Sequence, residues 1–173
     1  MDSIRFGILT VSDSCYKHKS EDKSGPEVEL CINNDQTEIG RMLKGQVYCK
    51  EIVPDEEYAI KETLSSWSDS RQVDVILTIG GTGFAKRDVT PEATKQVIQK
   101  EAPGIAIAML TASLKITPMA MLSRTVCGIR DKTLIINLPG SPKAAKECLT
   151  VIASGIPHAV DLMRDNKRNI IDT

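Results

Sequence analysis

Gly80, Gly81, Thr82 and Gly83, followed by Lys86, Arg87 and Asp88, are the densest group of site-forming residue types in this 173-residue chain. Glycines leave backbone N–H groups unshielded, permit positive φ and let a phosphate or a flat ring approach the main chain closely. Lys86 and Arg87 add positive charge beside that nest. The loop is not a nucleoside-triphosphate P-loop, which needs a Lys and a Ser or Thr directly after its last glycine to reach the terminal phosphates and magnesium. Nor is it a dinucleotide fingerprint, in which the helix begins inside the motif, because the helix start at Thr90 lies seven residues beyond Gly83. Taken alone, Gly80 to Gly83 reads equally well as a tight strand-to-loop turn.

Two carboxylates sharpen the choice. A carboxylate beside a phosphate site is repulsive unless a cation lies between them, so Asp55 and Asp88 point to a magnesium ion bridging to phosphate oxygens, and hence to phosphoryl or nucleotidyl transfer. Each has a plainer alternative: Asp55 can cap the helix that follows Pro54, and Asp88 can pair with Arg87 or orient the loop. His158 lies in an amphipathic stretch with Ile156, Val160 and Met163 and reads as a packed or surface histidine. The five cysteines are odd in number and lack paired spacing, so no zinc site or disulfide framework is written in the chain. Only Cys15 lies close to a predicted site loop.

The elements that must hold these residues alternate between strand and helix. Ile4 to Val11 is rich in β-branched and large apolar residues and stops at Ser12-Asp13-Ser14. Gln46 to Val53 stops at Pro54-Asp55, Val73 to Ile79 at the glycines, and Thr133 to Asn137 at Leu138-Pro139-Gly140. Helical patterns fill the intervals: Gly25 to Lys44, Asp55 to Ser68 with Ile60, Leu64 and Trp67 on one stripe, and Pro91 to Glu101. The third of these helices carries a capping signal, with Thr90 as cap, Pro91 at the first helical position and Glu92 at the positive end of the dipole. The segment Ile105 to Leu110 is apolar on every side, so it belongs either in the core or against another subunit. Ser123 to Ile129 reads as an antiparallel hairpin partner of the last strand.

The predicted fold is therefore α/β, with three layers, a mostly parallel central sheet and helices on both faces. Ligands of such sheets bind in the crevice beyond the carboxyl ends of the strands. Four strand ends deliver Ser12 and Asp13, Asp55, Gly80 to Gly83 with Asp88, and Asn137 with Pro139 and Gly140 to that edge.

Composition narrows the partners. With 22 basic and 23 acidic residues there is no overall field to steer the chain toward nucleic acid or an anionic membrane. One Trp and two Phe make no stacking surface for single-stranded nucleic acid. The N-terminus lacks the regions of a signal peptide and no apolar run is long enough to span a bilayer, so a reducing cytoplasm is expected. The length suits one domain, taken as residues 1–165, with 166–173 as a polar tail or linker.

The run from Gly80 to Thr94 resembles the signature of molybdopterin adenylyltransferases, a family that includes the G domain of gephyrin. Thr10 to Ser14, Ile52 to Glu56, Met121 to Arg124 and Leu134 to Gly140 also resemble that family, in the same order, and the likeness is greatest to the gephyrin-type G domain. Lys86 departs from the pattern, and the stretch from Glu27 to Gly45 is polar and irregular, with a loop expected at Asn33-Asn34-Asp35. The resemblance implies transfer of AMP from ATP to the terminal phosphate of molybdopterin, with Mg2+, release of pyrophosphate, and passage of the product to a molybdate-inserting domain in the same or another chain. It also implies a homotrimer. Carried over by position, Gly80, Gly81, Thr82, Gly83, Asn137, Pro139 and Gly140 line the nucleotide site; Ser12, Asp13 and Ser123 line the molybdopterin site; Asp55 and Asp88 serve catalysis or the magnesium ion. The competing implication is a trimerisation module of a gephyrin-type clustering scaffold with little or no catalysis.

Overall fold

The computed structural model describes residues 3–164. Six strands form one sheet: β1 (Ile4–Val11), β2 (Gly45–Val53), β3 (Val75–Ile79), β4 (Lys100–Glu101), β5 (Cys127–Arg130) and β6 (Thr133–Leu138). Their spatial order is β2-β1-β3-β6-β5-β4. The first four of that order run parallel; β5 pairs antiparallel with β6, and β4 antiparallel with β5. The hairpin partner expected before the last strand is β5, paired with β6 from Cys127 opposite Ile136 to Arg130 opposite Thr133.

Helices cover both faces, as the alternation of elements required. On one face α4 (Glu57–Asp69) and α5 (Thr90–Val97) pack Ile60, Leu64, Trp67, Ala93 and Val97 against Leu9, Ile76 and Ile135. On the other, α2 (Ser24–Asn33), α6 (Pro103–Leu114), α7 (Pro142–Ile152) and α8 (Ile156–Met163) cover Phe6, Ile8, Leu77 and Ile136. Successive strand residues point to opposite faces, so β3 sends Val75, Leu77 and Ile79 to one core and Ile76 to the other. Every residue of β3 is buried, which explains why its sequence reads as a continuous apolar run.

Several expected boundaries move. The single helix expected from Gly25 to Lys44 is two: α2 ends at Asn33, and α3 (Glu38–Leu43) restarts after Thr37, whose hydroxyl accepts the Gly40 N–H. The loop expected at Asn33-Asn34-Asp35 is the cause, since the Asn34 side chain accepts the Gln36 N–H and turns the chain. The helix expected from Pro91 to Glu101 stops at Val97, and Lys100–Glu101 pairs with β5 instead. Thr90 is not a cap. It is the first helical residue, and its hydroxyl donates to the Gly80 carbonyl rather than accepting an N–H of its own helix. The apolar helix α6 buries only Met109 and leaves Ile107 60% and Leu114 44% exposed, so it is not a central core helix of this chain. The tail expected over 166–173 lies outside the described residues.

At the amino end of the sheet, opposite the predicted cleft, the nearly buried Asp74 joins three elements. Its carboxylate accepts from Arg5 Nε and Nη2 at 3.1 and 3.0 Å, from the Arg5 backbone N–H at 2.9 Å, and from Arg164 Nη2 at 2.6 Å. Burial alone would raise the carboxyl pKa, but the bonds from Arg5 and Arg164 outweigh it and hold Asp74 below the usual carboxylate range. Such a group stabilises the fold above its unfolded pKa of about 3.9 and loses that contribution as pH falls through the folded value. Asp74→Ala should lower the unfolding free energy by about 3 kcal/mol at pH 7. In urea unfolding curves the deficit should narrow as the pH is taken below about 4.

Candidate active site at the carboxyl ends of the strands

The glycine loop leaves β3 through two left-handed residues, Gly80 at φ +102° and Gly81 at φ +65°. A Cβ on Gly80 would stand 2.5 Å from the Val11 carbonyl oxygen, and one on Gly81 would collide with the Thr90 hydroxyl. Only glycine fits either position. The loop carbonyls are turned back into the protein. Gly80 O accepts from the Thr90 hydroxyl at 2.9 Å and Gly81 O from the Thr90 N–H at 3.1 Å. Thr82 O accepts from the Arg124 N–H at 2.9 Å and Gly83 O from Arg124 Nε at 2.8 Å. Among the described residues no acceptor takes the N–H groups of Gly81, Thr82 and Gly83. That leaves a row of donors suited to an anionic ligand.

Asp55, just past the end of β2, and Asp88, at the far end of the loop itself, flank the glycines. Asp55 Oδ2 accepts the Asp13 N–H at 2.7 Å, and the Asp55 N–H donates to Asp13 Oδ1 at 3.1 Å. This reciprocal pair locks the end of β1 to the end of β2. Asp13 is further clamped by Arg87, whose Nε and Nη2 reach its two oxygens at 2.9 and 2.8 Å. Asp88 Oδ2 accepts the Ala85 N–H at 2.9 Å. Oδ1 of Asp55 and Oδ1 of Asp88 accept no hydrogen bond among the described residues. Arg87 therefore pairs with Asp13, the partner that the sequence did not suggest, and not with Asp88.

The two aspartates joined by backbone bonds titrate in opposite directions. The Arg87 guanidinium holds Asp13 below the usual carboxylate range. Asp55 is pushed above it, first by burial and then by the nearby charges of Asp13 and Asp88.

The remaining predicted site residues divide by position. Ser12 caps the short helix α1 (Asp13–Tyr16) by accepting the Cys15 N–H at 3.3 Å, and it lines a polar cleft with Asp22, Lys23, Asp55, Gly80, Gly81, Asp88 and Gly140. That cleft encloses about 400 Å³. Thr82, Gly83, Ser123 and Pro139 line a second, mostly apolar hollow of about 420 Å³ under α6. The glycine loop and the Pro139-Gly140 turn thus form the ridge between two adjoining hollows. Asn137 lies in neither. It is wholly buried, its Nδ2 donates to the Thr78 and Thr94 hydroxyls at 2.9 Å each, and its Oδ1 accepts the Val126 N–H at 3.2 Å. It reaches a ligand only through the residues that it holds.

Sequence reasoning missed two organisers. Asp22 accepts from the Thr10 hydroxyl at 2.7 Å and from the N–H groups of Ser24 and Gly25, so it starts α2 beside the cleft. Arg124 braces the glycine loop. Its Nη2 donates to the Asp88 carbonyl at 2.7 Å, and its Nη1 pairs with Glu92, whose pKa it depresses. The available signal was that Arg124 ends the family-like segment Met121 to Arg124 just before a strand; no side-chain role followed from that.

Residues 7–158 match the protein family described as "Probable molybdopterin binding domain". The chain belongs to this family. It is 46% identical over 166 residues to the molybdenum cofactor synthesis protein cinnamon of Drosophila melanogaster, covering 96% of this chain and 26% of that protein. It is 43% identical over 175 residues to a molybdopterin adenylyltransferase of Helicobacter pylori strain J99, covering 98% of this chain and 96% of that protein. The chain thus spans about a quarter of the fly relative and nearly all of the bacterial one. Among solved structures, the molybdopterin biosynthesis enzyme MoaB of Thermus thermophilus superposes with a TM-score of 0.84 at 42% identity, covering 94% of this chain and 97% of that one.

In this molybdopterin-binding-type domain the raised pKa of Asp55 has a measurable cost. A carboxyl raised by the fold adds stability below its unfolded pKa and loses that contribution as pH rises through the folded value, so ionised Asp55 opposes folding at neutral pH. Asp55→Asn keeps an oxygen to accept the Asp13 N–H and should be at least as stable as the parent at pH 7. Its advantage should disappear near pH 4, which urea midpoints at the two pH values will read.

Proposed function

We propose that this protein acts in molybdenum cofactor biosynthesis, transferring AMP from ATP to the terminal phosphate of molybdopterin to give adenylylated molybdopterin and pyrophosphate. The observation that carries the reading is the end-to-end likeness to a protein named for that activity, at 43% identity. The geometry is consistent with it: loop N–H groups and one oxygen of each of two carboxylates without a partner among the described residues, and an adjoining apolar hollow with room for a flat ring.

In this reaction an oxygen of the molybdopterin phosphate attacks the α-phosphorus of ATP, a new P–O–P bond forms, and the bond from the α-phosphorus to the pyrophosphate oxygen breaks. A phosphate monoester is already a competent nucleophile near neutral pH, so neither a covalent protein intermediate nor a dedicated base is required. Catalysis then rests on positioning and charge neutralisation. The N–H groups of Gly81, Thr82 and Gly83 take phosphate oxygens. Gly80, Pro139 and Gly140 shape the nucleotide side, with Asn137 holding β6 in place beneath them. Ser123 lines the apolar hollow, whereas Ser12, with Asp13 beside it, lies at the polar cleft across the ridge.

Asp55 and Asp88 are the residues that would hold Mg2+. Among the described residues no cluster of three or more His, Cys, Asp or Glu side chains could hold a metal ion alone. Two carboxylates suit an ion that arrives with the nucleotide and completes its shell with phosphate oxygens and water. When bound it supplies neutralisation of the phosphate charge that the carboxylates would otherwise repel.

A homotrimer belongs to the same reading, supported by the exposed apolar surface of α6 at Ile107 and Leu114 and by Met119 and Met121 in the following 3-10 turn. So does a molybdate-inserting domain, in the same or another chain, to receive the product. The setting we infer is cytoplasmic; among the described residues no helix is long and apolar enough to cross a membrane.

Pyrophosphate release from ATP, Mg2+ and molybdopterin tests the activity. Asp55→Asn and Asp88→Asn should each lower it by at least about 100-fold while leaving circular dichroism and oligomer mass unchanged. Near-parental rates in both would remove the carboxylate roles, and no turnover by the well-folded parent would leave the scaffold reading. Light scattering at micromolar concentration should give three times the chain mass; a monomer would contradict the trimer.

A further inference from the structure

We propose that Arg124 is a positioning residue for this reaction, holding the glycine loop and Asp88 in working geometry from outside the cleft; the proposal rests on the adenylyl-transfer reading. Residues 84–87, which separate Gly83 from Asp88, are all exposed. The bonds between Ala85 and Asp88 are internal to the loop and cannot fix it to the protein. What fixes it is the Arg124 guanidinium, bonded to the Gly83 carbonyl at 2.8 Å, to the Asp88 carbonyl at 2.7 Å and to the Glu92 carboxylate. The other anchor among the described residues, Arg87 on Asp13, is an ion pair in which Arg87 is 55% exposed. That pair ties down residue 87 alone and leaves the Gly83 and Asp88 carbonyls to Arg124.

A rigid fork of donors is what the task requires. Two carbonyls at the ends of the loop and a carboxylate on α5 must be held at once, and a planar guanidinium does this with little entropy loss per bond. Arg124 is itself anchored at depth. Its neighbours Thr125 and Val126 bond the buried Asn137, through Thr125 Oγ1 to Asn137 O at 2.5 Å and the Val126 N–H to Asn137 Oδ1 at 3.2 Å. Position thus passes from β6 through Asn137 to residues 124–126, and from Arg124 to the loop. With its main chain fixed and Oδ2 tied to the Ala85 N–H, Asp88 presents Oδ1 in one direction.

The test uses the full chain with Arg124→Gln, Arg124→Lys and Arg124→Ala. Amide exchange at Ala85 and Asp88 should quicken at least about tenfold in all three, while amides of β3 and β6 keep their rates. The rate constant kcat should fall about 100-fold with KM for ATP within about threefold, because the loss is of alignment rather than of binding. Added guanidinium should restore part of kcat to Arg124→Ala. Parental exchange at Ala85 and Asp88 overturns the proposal, as does faster exchange throughout the sheet, which would make Arg124 a general stabiliser. Near-parental kcat in Arg124→Lys overturns the requirement for a fork. Should the unaltered protein transfer no AMP, the activity reading fails and the exchange measurement alone decides the role of Arg124.

Discussion

A chain that leaves a buried strand through two left-handed glycines turns several backbone carbonyls inward at once, and each must find a donor. That requirement organises this end of the molecule. Thr90 answers it for Gly80 and Gly81, Arg124 answers it for Thr82 and Gly83, and the N–H groups of Gly81 to Gly83 consequently face the other way. An unsatisfied buried carbonyl costs about 1–3 kcal/mol, so the loop cannot relax without losing much of the margin that holds the fold together. The threonine at a helix start and the arginine before a strand are in this sense part of the same device as the glycines.

Charge is distributed under a similar constraint. Asp13, Asp55 and Asp88 gather beside the glycine loop, with Asp22 also lining the cleft, and mutual repulsion would be severe if all were equally free. Arg87 neutralises Asp13, and Asp13 in turn orients Asp55 through the main chain. Asp55 keeps its charge only against burial and its neighbours. Ionised Asp55 therefore opposes folding at neutral pH, and the carboxylates around it are arranged to limit that cost.

The sheet places these groups together through its strand order. β1 sits between β2 and β3, and α2 and α4 return the chain on opposite faces, so the ends of neighbouring parallel strands open into one crevice. Gly7 of β1 lets the Trp67 ring of α4 lie directly on the strand, since a Cβ there would meet the ring at 2.8 Å. At the other end Asp74, Arg5 and Arg164 join the starts of β1 and β3 to the end of α8. The cleft is thus built on four parallel strands that are braced at both ends.

The sequence by itself determined the alternation of elements, the parallel sheet, the strand ends that meet at the cleft and the glycines that shape it, because periodicity and turn chemistry act over a few residues. It also singled out as candidates Asp55, just past the end of β2, and Asp88, just before α5, from their places in the chain. Tertiary structure alone decided which partners they found. Thr90 looks like a cap until Gly80, ten residues away, claims its hydroxyl; Asn137 looks like a ligand contact until Thr78, Thr94 and Val126 enclose it. Arg124 sits in a family-like segment, yet nothing local shows that it reaches carbonyls 41 and 36 residues away. Hydrogen-bond partners are assigned by which groups remain unsatisfied once the core has packed, and that remainder is a property of the whole fold.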